Sequence, residues 1–124
     1  MNISKRLNIV SISDSKEIKK TLDNSKKLHF KYGIIFLNKD NRVKEELRFA
    51  VLVKKHCGNA VRRNYVKRIS RNFIIRNITL FKPYSRVIFL FLSKKISFKY
   101  EALENELLKA LRNEKATFTD HSVL

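Results

Sequence analysis

Glycine and proline are nearly absent, two and one in 124 residues, and tryptophan is missing altogether. So sparse a supply of chain breakers excludes collagen-like, low-complexity and loop-dominated architectures. The single cysteine, Cys57, excludes an intramolecular disulfide and suits a reducing compartment. Long apolar runs are lacking too. The longest, residues 87–92, has six residues, against the ~18 of a membrane span. The opening stretch MNISKRLNIVSISD has no apolar core like that of a secretory signal. The expected address is the cytoplasm, with no membrane partner. Acids are the most informative shortage. Eleven Asp and Glu stand against twenty-eight Lys and Arg, a formal charge of +17. Between Glu46 and Glu101 there is no acid, while fourteen cations occur there. A merely soluble surface interleaves both signs. The distribution therefore points to a polyanionic partner, nucleic acid ahead of anionic membrane.

What is present is enough for one core. Hydrophobic residues make up 44%, with nine Phe and four Tyr, in a chain of one-domain length. Residues 1–13 read as a basic, irregular arm. Asp14 is placed to cap a short helix over 15–22, with Glu17 completing a capping-box-like pattern and Ile18 and Leu22 sharing a face. LHFKYGIIFL (28–37) alternates Leu28, Phe30, Tyr32, Ile34 and Phe36, as one strand would. A polar, turn-rich NKDNRVKE then links it to an antiparallel strand. In that strand Leu47, Phe49, Val51 and Val53 face one way, and Arg48, Ala50, Leu52 and Lys54 the other. RVIFLFL (86–92) suits a strand buried on both faces. A last helix carries Leu103, Leu107, Leu108 and Leu111 at helical spacing, and the tail 114–124 reads as frayed. The expectation is a single α+β domain over 14–113, a two-layer sandwich of helices on a mixed sheet. Its order is helix, strand, strand, long helix, strand, helix.

The long helix is GNAVRRNYVKRISR (58–71) and its continuation. Gly58 lets the chain leave the strand and Asn59 is a good N-cap. At about 100° per residue, Val61, Tyr65, Val66, Ile69 and Phe73 form an apolar arc. Arg63, Lys67, Arg68 and Arg71 form a cationic arc with Asn64 inside it. Arg62 and Arg76 fall toward the apolar side. Like charges at i, i+4 repel by a few tenths of a kcal/mol each. No Glu on that face relieves the repulsion, which is what a phosphate-binding face requires. Guanidinium groups suit bidentate phosphate contacts, and Asn64 can exchange hydrogen bonds with phosphate or a 2′-hydroxyl. Lys54 and Lys55, just before the helix, extend the patch, and the helix N-terminus adds positive potential.

The stretch KKHCGNAVRRNYVKRISRNF resembles the signature of the bacterial ribonuclease P protein subunit, K-K-x-x-G-N-A-V-x-R-N-R-x-K-R-x-x-R. The matching positions are Lys54, Lys55, Gly58, Asn59, Ala60, Val61, Arg63, Asn64, Lys67, Arg68 and Arg71; Tyr65 stands where the family has its second Arg. The resemblance implies the family's αβββαβα order, the fold also found in the second domain of a small-subunit ribosomal protein. It implies a protein cofactor of a ribozyme. The catalytic RNA, through its Mg²⁺, removes the 5′ leader of precursor tRNA, and the protein docks on that RNA one to one. The expected RNA-binding residues are Lys54, Lys55, Asn59, Arg63, Asn64, Lys67, Arg68 and Arg71. A cleft for the single-stranded leader is expected between the first helix and the sheet, at Ile18, Leu22, Ile34 and Phe36. Ile18 and Leu22 depart from the family's usual Phe, so they cannot stack on bases. All four could equally be core.

The residues themselves agree with a non-catalytic role. A hydrolytic metal site needs clustered carboxylates or histidines. The basic middle has no acid, and His29, His56 and His121 are scattered without ligand spacing. No cofactor or metal bound by the chain alone is expected. A structural, ribosomal-type RNA-binding protein remains the alternative; a protein-only nuclease and a membrane-surface helix fit the sequence less well.

Overall fold

A computed structural model gives the structure of residues 8–39 and 45–123, the side chains of 114–123 excepted. Strand β1 (Asn8–Ser11) leads into helix α1 (Ser15–Asn24), followed by β2 (Lys26–Phe30), β3 (Gly33–Asn38) and β4 (Glu46–Val53). Helix α2 (Ala60–Arg76), strand β5 (Arg86–Phe91) and helix α3 (Tyr100–Val123) complete the order. The strands form one mixed sheet in the order β1-β4-β5-β3-β2. β1, β4 and β5 are mutually parallel, while β3 runs antiparallel to β5 and β2 antiparallel to β3. The α+β sandwich is as expected.

The helix boundaries follow from capping. The Asp14 side chain accepts a hydrogen bond from Lys16 N at 3.1 Å, and the Asn59 side chain accepts one from Arg62 N at 2.9 Å. Each satisfies one of the first backbone donors of its helix.

The alternation of β4 divides the sheet as the pattern requires. Leu47, Phe49, Val51 and Val53 meet α2 and α3 in the larger core, with Phe73, Phe81, Phe89, Leu103 and Leu107 fully buried there. Ala50 and Leu52 face the opposite side, where Ile12, Phe36 and Ile88 form a smaller cluster under α1. β5, the middle strand, is buried on both faces. Cys57 is also buried, and desolvation raises its thiol pKa, keeping it protonated.

Three readings need correction. The stretch 28–37 is a hairpin rather than one strand. The chain turns at Lys31 and Tyr32, so that Leu28 pairs with Ile35 and Phe30 with Gly33. Leu28, Phe30 and Tyr32 therefore meet the larger core while Ile34 and Phe36 face α1. A Cβ on Gly33 would lie 1.9 Å from Leu90 O, which explains glycine there. Second, β3 and β4 run in opposite directions but do not pair; β5 lies between them. Third, the arm expected at 1–13 contributes β1, and Ile12 enters the core. Residues 1–7 lie outside the described residues, as do the side chains of the tail at 114–124.

Candidate nucleic-acid interface

Helix α2 is fixed to the sheet by Val66, Ile69, Phe73 and Ile74, all buried. Its first turn extends past that contact. Val61, expected in the apolar arc, is 79% exposed, and Tyr65 is half-buried. The arc begins one turn later than a uniform wheel implies, because the end of the helix overhangs the sheet.

The opposite side carries the expected cations. Asn64, Lys67, Arg68 and Arg71 are exposed there and Arg63 is half-buried; Lys54 and Lys55, exposed too, precede the helix at the end of β4. Arg62 and Arg76 are exposed as well, so neither is drawn under the sheet. Among the described residues, Arg63, Lys67, Arg68 and Arg71 form no ion pair with a carboxylate. Two of the guanidiniums are instead held against rings. Arg68 lies 5.3 Å from the centre of Tyr65 and Arg71 5.3 Å from that of Phe49. Such contacts use the face of the guanidinium and leave its edge donors for an anion. Arg63 Nη1 donates to Gly58 O at 2.7 Å, which pins this side chain beside the start of the helix. Asn59 uses its side-chain oxygen for the cap, leaving its amide N–H groups outward. Tyr65 serves as the platform for Arg68.

The other expected site lies across the sheet, on the face of α1. Strand register arranges it in rungs. Arg48, Arg86 and Asn38 form the first, Ala50, Ile88 and Phe36 the second, and Leu52, Leu90 and Ile34 the third. The first rung is taken by α1. Glu17 Oε2 accepts from Arg48 Nε at 2.6 Å and Arg86 Nε at 3.0 Å, and Asn38 Nδ2 donates to Asn24 O at 3.2 Å. Hydrogen bonding from Arg48, joined by Arg86, outweighs burial and holds the Glu17 carboxyl at about 2. The second rung packs under Ile18 and Leu22, which stay half-buried. Phe36 is only 4% exposed, so it is core and presents no stacking face. The third rung, with Ile34, is half-open. Beyond it lie exposed Leu92 and Lys54, and Lys27 Nζ sits 5.9 Å from the centre of the Phe36 ring. Leu52 and Leu90, absent from the expected set, belong to this floor. Their strand parity with Ala50 and Ile88 was the available signal. The expected residues thus separate into two surfaces, α2's outer face and this aliphatic shelf beside α1.

Among the described residues no group of three or more His, Cys, Asp or Glu could hold a metal. His56 Nε2 is 3.1 Å from Leu92 O, a structural contact. No described helix is long and apolar enough to cross a membrane.

The family sequence model described as Ribonuclease P matches residues 8–115. The chain belongs to the ribonuclease P protein family. Solved structures of that family share its fold. The RNase P protein of Staphylococcus aureus superposes with a TM-score of 0.73 at 18% identity, over 85% of this chain and 94% of that one. The RNase P protein from Thermotoga maritima gives 0.70 at 19%, over 83% and 96%. No curated protein matches the sequence significantly. Family membership makes the chain a subunit of a tRNA-processing endoribonuclease, with the RNase P RNA as its partner.

Proposed function

We propose that the chain docks on the catalytic RNA through the outer face of α2 and receives the 5′ leader of precursor tRNA on the shelf beside α1. Bond cleavage belongs to the RNA and the Mg²⁺ it holds; this chain supplies charge neutralisation and guidance, as one copy per RNA. The observation that carries the reading is the acid-free outer face of α2, with Lys67, Arg68 and Arg71 exposed and unpaired to carboxylates among the described residues. A duplex or folded RNA offers a phosphate array for such a face, and a bidentate guanidinium contact suits each phosphate. For the leader, the half-open rung of Ile34, Leu52 and Leu90 offers apolar contact, with Lys54 at its end. Aliphatic side chains give bases no stacking partner, so cations carry more of the leader affinity than aromatic platforms would.

Reconstitution tests the role. The full chain is added to purified RNase P RNA and precursor tRNA at Mg²⁺ too low for the RNA to act alone. Restored 5′ cleavage is expected, with none from the chain without RNA. Tight RNA binding with no rescue of cleavage would make the chain a structural RNA-binding protein instead.

A further inference from the structure

Backbone groups along β4 point alternately to its two neighbours. Arg48 N donates to Ser85 O and Lys54 N to Phe91 O, so even-numbered residues face β5. Odd-numbered residues face β1: Glu45 O accepts from Asn8 N, and Phe49 O from Ile12 N at 2.8 Å. There β1 ends, because Asp14 opens α1, while β4 continues to Val53. The N–H and C=O of Val51 and Val53 therefore project from a free edge. Among the described residues none of these four groups has a hydrogen-bond partner.

A groove of about 410 Å³ opens at this edge, with Ile12, Val51 and Leu52 on one side and Lys67, Arg68 and Arg71 on the other. An unpaired edge ordinarily invites another strand. Here three cations guard the approach, and a second copy of a chain of charge +17 is repelled. An oligoanion is attracted. Outward groups two residues apart on a strand are about 6.6–6.8 Å apart, which is close to the phosphate repeat of an extended single strand. The amides can donate to phosphate oxygens. The carbonyls can only accept, which suits a 2′-hydroxyl and finds no donor on the sugar–phosphate backbone of DNA.

We propose that the free edge of β4 at Val51 and Val53 binds the sugar–phosphate backbone of single-stranded RNA and selects it over DNA through the 2′-hydroxyls. The proposal rests on the RNA-binding reading of α2 and extends it around the sheet edge.

Amide exchange in the full-length, ¹⁵N-labelled chain tests it, with a short mixed-sequence oligoribonucleotide and the oligodeoxynucleotide of the same sequence as probes. Saturating RNA is expected to slow exchange at Val51 and Val53 by about tenfold or more, and DNA to do much less. A variant, Val51→Pro, removes an outward N–H and leaves the ladder to β5 intact. It is expected to bind RNA about tenfold more weakly while keeping its preference for RNA over DNA, because both outward carbonyls remain. Unchanged exchange at both amides in the RNA-saturated chain overturns the proposal. So does protection that appears on raising chain concentration without RNA, which would make a second copy the occupant. If Val51→Pro fails to fold, the exchange result decides alone. Lost cleavage rescue with amide protection intact would refute the ribozyme role and spare the edge site; the converse would refute only the edge site.

Discussion

Replacing Glu17 by Gln should uncouple α1 from the sheet. Glu17 is the one α1 side chain that holds both Arg48 and Arg86 among the described residues, and its side chain is 19% exposed. Its carboxyl is held from 4.5 down to about 2, chiefly by hydrogen bonds from Arg48. At ~1.36 kcal/mol per unit, that corresponds to about 3 kcal/mol favouring the ionised, docked state, reduced to about 2–3 by residual solvent screening. A carboxylate whose folded pKa is depressed contributes in full above its unfolded value. The contribution is lost as pH falls toward the folded value. Urea unfolding at fixed ionic strength should therefore find Glu17→Gln about 2–3 kcal/mol less stable at neutral pH. The gap should narrow steadily between about pH 4.5 and 2. A gap independent of pH, or none at neutral pH, would refute the assignment. The same variant should weaken leader binding more than binding to the catalytic RNA, because α1 forms one wall of the shelf and no part of the α2 face.

Two further substitutions probe the hairpin and the shelf. Gly33→Ala drives a Cβ to 1.9 Å from Leu90 O, a backbone atom that cannot swing aside, so β3 and β5 must separate. A thermal melt should show destabilisation above about 3 kcal/mol, at the severe end for point mutants. Leu22→Phe restores an aromatic ring beside the open rung. It should tighten binding of a leader-bearing precursor by about 1–3 kcal/mol while leaving affinity for leaderless tRNA unchanged, measured by filter binding with the RNA subunit present.

Legibility in the sequence followed how local each signal was. β4 and β5 could be read because their patterns, strict alternation and an unbroken apolar run, are set by their own residues. The same holds for the caps at Asp14 and Asn59. The β2–β3 turn was hidden because Lys31-Tyr32 carries no turn chemistry and Leu28 to Phe36 alternates straight through it. Gly33 was the only mark, and its reason lies on another strand, at Leu90. β1 was hidden because four residues, NIVS, become a strand only by pairing with β4. On α2 the exposure of Lys67, Arg68 and Arg71 was legible, since an absence of acids needs no tertiary information, whereas that of Arg62 and Arg76 was not. The position of Val61 was not, because a wheel assumes that the whole helix lies over the sheet. The shelf was half legible. Ile34 could be placed by parity, whereas the burial of Phe36 depended on where α1 came to rest.

The account depends most on α2 being a phosphate-binding face. Affinity of the full chain for RNase P RNA, measured against salt, tests it directly, with the variant carrying Arg63→Ala, Lys67→Ala, Arg68→Ala and Arg71→Ala as comparison. Each phosphate contact removed should lower the log–log slope by about 0.7–0.9, so the fourfold variant should bind weakly and with a slope flatter by roughly 3. A folded variant whose slope equals that of the parent chain would contradict the account.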